Sequence, residues 1–361
     1  MVDTLRSEGT IPQLIIRSDA TTKMGSGHLM RCLALGQAWK DRGGEVQFVT
    51  ACTNEELLQC LREENFTVHH LDHPFPDAED WQFTRGLLTQ QPGALLVLDG
   101  YHFTSDYQKQ VKDAGYKLMV IDDMNDLPHY YADIVLNQNI YANNLRYSCE
   151  PHTTLLLGSM YALLRREFLK WRAWKRTVPA VARQVLVTLG GGDPDNVTMK
   201  VIQALELVPV EGLEATVLVG SANPHYEELR SAAQGSRVPI RLERRLTNIS
   251  DIMSCAEVVV SAGGSTCWEL AFMGLPAVLL PLAENQRVIA RGLRQAGIAV
   301  NLGQPECVPA ELLASRLAEL IETPHVRRHF SERARLLIDG FGVERLISAL
   351  KLQPSQIGVS G

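Results

Sequence analysis

The sequence lacks any long apolar run and any excess of basic residues. No stretch approaches the roughly 18 consecutive apolar residues that a membrane-spanning helix needs. The net charge is −6, which gives no support for a nucleic acid or an anionic membrane as partner. The first eleven residues are polar and of mixed charge, which predicts no signal peptide. We therefore expect a soluble, cytoplasmic protein.

Cysteine occurs without the spacing of a disulfide framework or a zinc ribbon. The seven cysteines are scattered, and no pair is spaced Cys-x-x-Cys, so we expect reduced, buried thiols. A cluster of His69, His70 and His73 around Asp72 could suggest a metal, but nothing nearby completes a ligand set. We interpret it as a strand end and a surface loop. No metal and no other cofactor is predicted.

What the chain does contain is a repeated alternation of short apolar runs and amphipathic segments. This rhythm is typical of α/β folds with parallel sheets, and 361 residues suffice for two domains. We predict two doubly wound, Rossmann-like domains that face each other across a cleft, over residues 12–170 and 183–352. A basic, tryptophan-containing segment over 159–176 is predicted to be an interdomain helix, although a membrane-surface helix is the alternative. Residues 353–361 are predicted to be a disordered tail.

A glycine loop follows the first apolar run and precedes the first amphipathic segment. Gly25 and Gly27 would let the backbone approach a ligand, and the helix start behind them would favour an anion such as a diphosphate. His28 and Arg31 lie in the first helical turn, where an imidazole could meet a bound sugar or phosphate. Met30 stands where a dinucleotide fingerprint needs its third glycine, which argues against a nicotinamide dehydrogenase.

A second strand–glycine–helix unit occurs near residue 261. Gly263 and Gly264 precede Ser265 and Thr266, whose N–H groups and hydroxyls could hold phosphate oxygens, although either residue could simply cap the helix. Glu269 lies one turn further along, where a carboxylate could accept the ribose hydroxyls or only complement the helix dipole. A polar loop with Glu284, Asn285 and Gln286 follows the next strand, and another glycine loop with Gly191 and Asp193 precedes a helix.

Several motifs together resemble a known enzyme family. The segment from Gly274 to Pro281, Gly-Leu-Pro-Ala-Val-Leu-Leu-Pro, looks like the nucleotide half of GT-B glycosyltransferases, such as the UDP-N-acetylglucosamine transferase of peptidoglycan synthesis. More specific are six separated motifs between about residues 14 and 300. They resemble the UDP-2,4-diacetamido-2,4,6-trideoxy-β-L-altropyranose hydrolases of pseudaminic acid biosynthesis. These motifs include Arg17-Ser-Asp-Ala with Gly-x-Gly-His28-x-x-Arg31-Cys, Leu98-Asp99-Gly-Tyr101, Ile121-Asp122-Asp123, Asp133-Ile-Val-Leu-Asn137-Gln-Asn139, Gly158-Ser-Met-Tyr161-Ala-Leu-Leu-Arg-Arg-Glu-Phe168 and Gly190-Gly-Gly-Asp193.

The resemblance implies a metal-independent hydrolase that releases UDP through attack of water at the anomeric carbon. It implies that His28 is the catalytic residue and that Tyr101 helps to position the water, although Tyr101 could instead serve loop packing. Imidazole suits this reaction because its ordinary pKa lies near neutrality. The residues predicted to bind the UDP-sugar are Asp19, Gly25, Gly27, Arg31, Gly191, Asp193, Gly264, Ser265, Thr266, Glu269, Glu284, Asn285 and Gln286.

Two other functions remain open at this point. A glycosyltransferase could use the same cleft with a sugar acceptor in place of water, and a non-catalytic sugar-nucleotide sensor would show no turnover. The small-molecule substrate is the only partner that we predict, and a monomer is favoured. Roles for the residues after about 300 are not implied by the resemblance.

Overall fold

The computed structural model describes residues 11–21, 25–220, 222–244 and 248–351, and within them the chain forms two parallel β-sheets flanked by helices. In the first domain the elements are β1 (Leu14–Ser18), α1 (Gly27–Lys40), β2 (Val46–Thr50), α2 (Glu55–Glu63), β3 (Thr67–His70), α3 (Ala78–Gln90), β4 (Leu95–Asp99), α4 (Ser105–Asp113), β5 (Lys117–Ile121), β6 (Ile134–Asn137) and β7 (Thr154–Leu157). A short helix, α5 (Arg166–Leu169), lies in the connection to the second domain. The second domain and the C-terminal helices comprise β8 (Gln184–Thr188), α6 (Val197–Leu207), β9 (Glu214–Leu218), α7 (Tyr226–Gly235), β10 (Ile240–Glu243), α8 (Ile249–Cys255), β11 (Val258–Ser261), α9 (Thr266–Phe272), β12 (Ala277–Leu279), α10 (Glu284–Gln295), β13 (Ala299–Asn301), α11 (Ala310–Glu322), α12 (Pro324–Leu337) and α13 (Gly342–Lys351).

Both sheets have the strand order of a doubly wound fold. The first runs β3-β2-β1-β4-β5-β6-β7 and the second β10-β9-β8-β11-β12-β13, and every strand pair is parallel. Strand β1 shows why the strands are apolar throughout, because Leu14 and Ile16 pack into the core on one face while Ile15 packs into the core on the other. The predicted fold class is confirmed. Strands β7 and β13, only four and three residues long, were missed by the sequence analysis.

The strand order determines where a ligand cleft can form. In each sheet the order reverses beside the first strand, between β1 and β4 and between β8 and β11. Loops that leave the carboxyl ends of two such strands separate to opposite faces of the sheet and leave a crevice between them. The predicted glycine loops all follow one of these strands.

The predicted helix over 159–176 is wrong. The segment contains only a 3₁₀ turn (Ser159–Tyr161) and the one-turn helix α5, with extended backbone between them. In that extended stretch Leu163 is buried in the core of the first domain, whereas Leu164 is buried with residues of the second domain. Extended backbone directs successive side chains to opposite sides, whereas a helix separates them by only about 100°, so tertiary packing overrides helix propensity here.

The C-terminal helix α13 returns to the first domain. Its residues Val343, Leu346 and Ile347 are buried in the same core as Leu14 and other residues of β1 and α1. The predicted domain bounds stay a prediction. Helix α13 lies within the predicted second domain, 183–352, but its apolar side chains complete the core of the first domain. The predicted tail, 353–361, lies outside the described residues.

Candidate active site

Loops from both domains approach each other at the two strand-order reversals. A Cβ atom placed on Gly27 would lie 2.9 Å from the hydroxyl of Ser265, and one placed on Gly191 would lie 3.6 Å from the hydroxyl of Ser26. Gly25 has a φ of +74°, in the left-handed region that favours glycine. The three predicted glycine loops therefore meet at one cleft, and a side chain on Gly27 would crowd the facing domain.

The centre of this cleft holds a histidine–carboxylate pair. His28, the second residue of α1, is 5% exposed, and its Nδ1 lies 2.6 Å from Oδ1 of Asp99 at the carboxyl end of β4. No described residue hydrogen-bonds to the other ring nitrogen, Nε2. The ring of Tyr101 packs edge-on against the imidazole, with the ring centres 4.5 Å apart. One nitrogen of His28 is thus oriented by a carboxylate while the other remains available.

Asp99 is held by residues that share one face of α1. Arg31 donates to both of its oxygens at 2.7 Å, and the Cys32 thiol lies 3.3 Å from Oδ2. His28, Arg31 and Cys32 can converge because residues three and four apart are neighbours on a helix. Burial alone would raise the pKa of Asp99, but the Arg31 charge and the His28 ring outweigh it and hold that pKa well below its usual range. Asp99 is therefore a carboxylate at neutral pH.

A second carboxylate, Asp123, connects Arg31 to Tyr101. Arg31 donates to Asp123 at 2.8 Å, Asn139 donates at 2.7 Å, and the Tyr101 hydroxyl donates at 2.9 Å. The same hydroxyl accepts a hydrogen bond of 2.9 Å from Asn285 of the second domain. Burial and the Asp123 charge raise the pKa of Tyr101, so it keeps its proton at neutral pH. The chain of contacts crosses the cleft beside His28.

Asp19 and Arg31 are both buried and both form ion pairs with protein groups. Asp19 is 1% exposed; its Oδ1 accepts from Arg17 at 2.6 Å and from the Ala51 N–H at 2.6 Å, and its Oδ2 lies 3.0 Å from Nε2 of His102. Burial opposes ionisation, yet His102 and Arg17 hold the pKa of Asp19 well below its ordinary value. Arg31 and Oδ1 of Asp19 hydrogen-bond to protein groups and help to shape the site, and the contact of both residues with the substrate stays a prediction.

Asp193 also has a structural partner. It is buried with a φ of +43°, and its oxygens accept from the Val197 and Thr198 N–H groups at 2.8 Å each and from the Thr198 hydroxyl at 2.6 Å. This is a cap on the first turn of α6. The Asp193 carboxylate is directed into the helix, and its contact with the substrate stays a prediction. Gly191 remains at the cleft.

The second glycine loop is braced by the first turn of α10. A Cβ on Gly263 would lie 2.6 Å from the Gln286 carbonyl oxygen, and the Gln286 side chain accepts from the Leu282 N–H at 2.8 Å. Glu284 is exposed and pairs with Arg287 at 2.6 Å. Ser265 stands at the N-cap position just before α9, and its side chain makes no capping hydrogen bond. Of the predicted residues in this turn, Asn285 connects to His28 through its hydrogen bond to the Tyr101 hydroxyl.

Glu269 projects from α9 and already has a protein partner. Oε1 accepts from Arg165 at 2.9 Å, and the side chain is 14% exposed. Burial raises the pKa of Glu269, and the Arg165 charge opposes that change. Oε1 of Glu269 is therefore paired with a cation, and no described residue hydrogen-bonds to Oε2.

Sequence reasoning placed His28, Tyr101, Asn285 and Ser265 around one cleft but did not assign Asp99, Asp123 or Arg165 to the site. The position of the two aspartates in the sequence could have indicated them. Asp99 ends β4 and Asp123 lies two residues after β5, at the edge where parallel strands present their carboxyl ends. Asp122 shares no partner with Asp123 and accepts instead from the hydroxyls of Tyr130 and Tyr147.

Within the part of the chain that the structure describes, no three His, Cys, Asp or Glu side chains are grouped to hold a metal ion. His69 contacts Gln47 at 2.8 Å and His70 contacts the Cys52 carbonyl at 3.2 Å. Over the same residues, no helix is both long and apolar enough to cross a membrane.

The fold is GT-B, the two-domain arrangement of Rossmann-like units seen in many glycosyltransferases. The structure is similar to that of MurG from Acinetobacter baumannii, with a TM-score of 0.66 over 95% of this chain and 100% of that chain at 14% identity. Residues 185–336 match the glycosyltransferase family 28 C-terminal domain.

Several relatives match most of the chain in sequence, and two of them have described roles. The spore coat polysaccharide biosynthesis protein SpsG of Bacillus subtilis is 26% identical over 339 residues, which cover 93% of this chain and 97% of that protein. The UDP-2,4-diacetamido-2,4,6-trideoxy-beta-L-altropyranose hydrolase of Campylobacter jejuni is 24% identical over 297 residues, covering 80% of this chain and 98% of that enzyme.

Proposed function

We propose that this protein hydrolyses a UDP-linked 2,4-diacetamido-2,4,6-trideoxy hexose, with the β-L-altropyranose as the substrate and with UDP and the free sugar as products. The observation that carries the proposal is the 2.6 Å contact between His28 Nδ1 and Asp99, while no residue in the described part of the chain hydrogen-bonds to Nε2. This is the arrangement of a general base whose tautomer is set by a carboxylate. The Campylobacter jejuni relative bears the name of this activity.

The proposed reaction breaks the bond between the anomeric carbon and the diphosphate oxygen. Water forms the new bond to that carbon and transfers a proton to Nε2 of His28, while the electron pair of the broken bond leaves with UDP. Asp99 stabilises the imidazolium that results, because it stays ionised beside the ring. Tyr101, whose ring packs edge-on against the imidazole and which is 41% exposed, would orient the water.

The second domain would hold the nucleotide. Backbone N–H groups at Gly264, Ser265 and Thr266 would meet the charge that develops on the departing diphosphate, as oxyanion-type donors do. Glu269 would accept hydrogen bonds from the ribose hydroxyls. The match to a glycosyltransferase C-terminal domain over 185–336, which includes all four residues, supports this division.

The test is phosphorus and proton NMR of the purified protein with UDP-2,4-diacetamido-2,4,6-trideoxy-β-L-altropyranose, in the presence of a chelator and without an acceptor sugar. We expect UDP and free sugar to appear, and His28→Ala to abolish their formation while the protein stays folded. His129→Ala is the matched control, since His129 is a partly exposed histidine that pairs with Ser148 and Glu150. Full activity in His28→Ala would overturn the proposal.

A glycosyltransferase is the second candidate, and the family 28 domain match together with the polysaccharide-biosynthesis relative favours it. In that case the same base would deprotonate a sugar hydroxyl instead of water. Binding of the intact UDP-sugar without UDP release, followed by release once an acceptor is added, would identify this alternative.

A further inference from the structure

The connection between the domains carries a buried arginine that the proposed reaction does not use. Arg165 lies just before α5, within the segment 158–168, and its side chain is 7% exposed. Its Nε donates to Oε1 of Glu269 at 2.9 Å, and its Nη1 lies 2.8 Å from Oε1 of Glu167. The guanidinium also lies over the ring of Phe168, 5.2 Å from the ring centre. One cation therefore lies between two carboxylates from different elements.

Glu167 anchors this arrangement to the second domain. Its Oε2 accepts from the Ser250 N–H at the start of α8, at 3.1 Å. Arg165 is consequently fixed both by the interdomain connection and by a helix of the nucleotide domain. Because the fork of a guanidinium is planar and rigid, a bond through Nε sets the direction of its partner as well as its distance.

Only one oxygen of Glu269 is used by this contact. No described residue hydrogen-bonds to Oε2, although a carboxylate has about four lone-pair sites in all. Burial raises the pKa of Glu269, so an unpaired carboxyl here would lose part of its charge, and Arg165 opposes that loss. A charged carboxylate accepts stronger hydrogen bonds than a neutral one.

We infer that Arg165 is a positioning residue for ribose recognition, which holds Glu269 by Oε1 so that its remaining lone pairs face the ribose hydroxyls. The inference rests on the proposed contact between Glu269 and the ribose. It assigns a role in specificity to the interdomain segment, namely discrimination of a ribonucleoside diphosphate from its 2′-deoxy analogue.

The experiment measures the affinity of the full chain for UDP and for 2′-deoxy-UDP by isothermal titration calorimetry. For the unmodified protein we expect a preference for UDP of about tenfold or more, because a hydrogen bond to a charged group corresponds to such a ratio. In Arg165→Met the preference should fall to within about threefold. Arg166→Met is the matched control and should keep the full preference, since Arg166 is 40% exposed and pairs with Asp41 and Glu64.

Two further variants keep the inference falsifiable if Arg165→Met does not fold. Arg165→Lys keeps the charge but cannot contact Glu269 and Glu167 with the fixed geometry of a guanidinium, so its preference for UDP over 2′-deoxy-UDP should be reduced. In a Glu269→Gln background, Arg165→Lys should cause no additional change in the preference, because the arginine acts through Glu269. A purely structural arginine would lower both affinities together and leave their ratio unchanged.

The outcomes separate this inference from the proposed function. If Glu269→Gln leaves the preference intact, the proposed ribose contact is wrong and the inference fails with it. If Glu269→Gln removes the preference while Arg165→Lys and any folded Arg165→Met protein retain it, only the role of Arg165 is overturned. Neither result depends on whether water or a sugar accepts the glycosyl group, because UDP is the ligand measured.

Discussion

Replacing Asp99 with asparagine tests the catalytic pair most directly. Asp99 accepts from His28 Nδ1 at 2.6 Å and twice from Arg31 at 2.7 Å. An amide offers one accepting oxygen in place of two and turns an NH₂ group toward donors. A hydrogen bond with a charged partner contributes about 1.5–3 kcal/mol. If the lost bond is the one that stabilises the imidazolium, the rate of UDP release should fall by about ten- to 150-fold.

The same substitution has a stability effect with a defined pH dependence. Arg31 keeps Asp123 as a partner at 2.8 Å, so we expect less than the roughly 3–5 kcal/mol lost when a buried charge is left wholly unpaired. Because the folded-state pKa of Asp99 lies below its ordinary value of about 3.9, the stabilisation is fully present above that value and is lost as the pH falls below it. The gap between the unfolding free energies of the wild type and Asp99→Asn should therefore be wider at pH 7 than at pH 3.

The assay is steady-state UDP release beside urea unfolding at both pH values. Asp80→Asn is the matched control, since Asp80 is another buried carboxylate bonded to an arginine and a tyrosine, Arg17 and Tyr107, but not to His28. It should lose stability and keep its turnover. The reasoning is refuted if folded Asp99→Asn works within about twofold of the wild-type rate, or if Asp80→Asn loses as much activity.

Two further predictions concern stability. Leu346→Ala should destabilise the protein by about 2–5 kcal/mol, because Leu346 is fully buried against the first domain. The control Leu336→Ala, at an 85% exposed position, should change the unfolding free energy by less than about 0.5 kcal/mol. Equal effects in denaturant titrations would contradict the assigned packing of α13. Gly263→Ala should cost about 1–3 kcal/mol, because the new methyl would lie 2.6 Å from the Gln286 backbone oxygen, while in Gly264→Ala the nearest atom is the Gln286 side-chain Nε2 at 3.6 Å. A melting temperature lowered equally in both glycine variants would show that the close approach is not the cause.

Local pattern predicted much of the fold because it depends on short-range physics. The apolar run before Gly25 and the segment after it predicted β1 and α1 correctly, since burial on both sheet faces demands continuous apolar residues. The same reasoning failed over 159–176, where good helix-forming residues are drawn into extended backbone because Leu163 and Leu164 enter different cores. It also could not tell that α13 packs on the first domain. An amphipathic helix shows that it has an apolar face but not which surface covers that face.

The sequence by itself determined the two-sheet α/β architecture and the glycine loops, because each follows from residue type and local spacing; the role of His28 as a base was implied by the family resemblance and stays a prediction. Only the tertiary structure decided what surrounds His28. Asp99 is 71 residues from His28 and Asp123 is 92 residues from Arg31, and these pairs meet because β1, β4 and β5 are neighbours in the sheet. The contacts of Tyr101 with Asn285 and of Arg165 with Glu269 span 184 and 104 residues and depend on how the chain folds over long distances. Strand order and long-range packing are cooperative properties of the whole chain, so no local pattern encodes them.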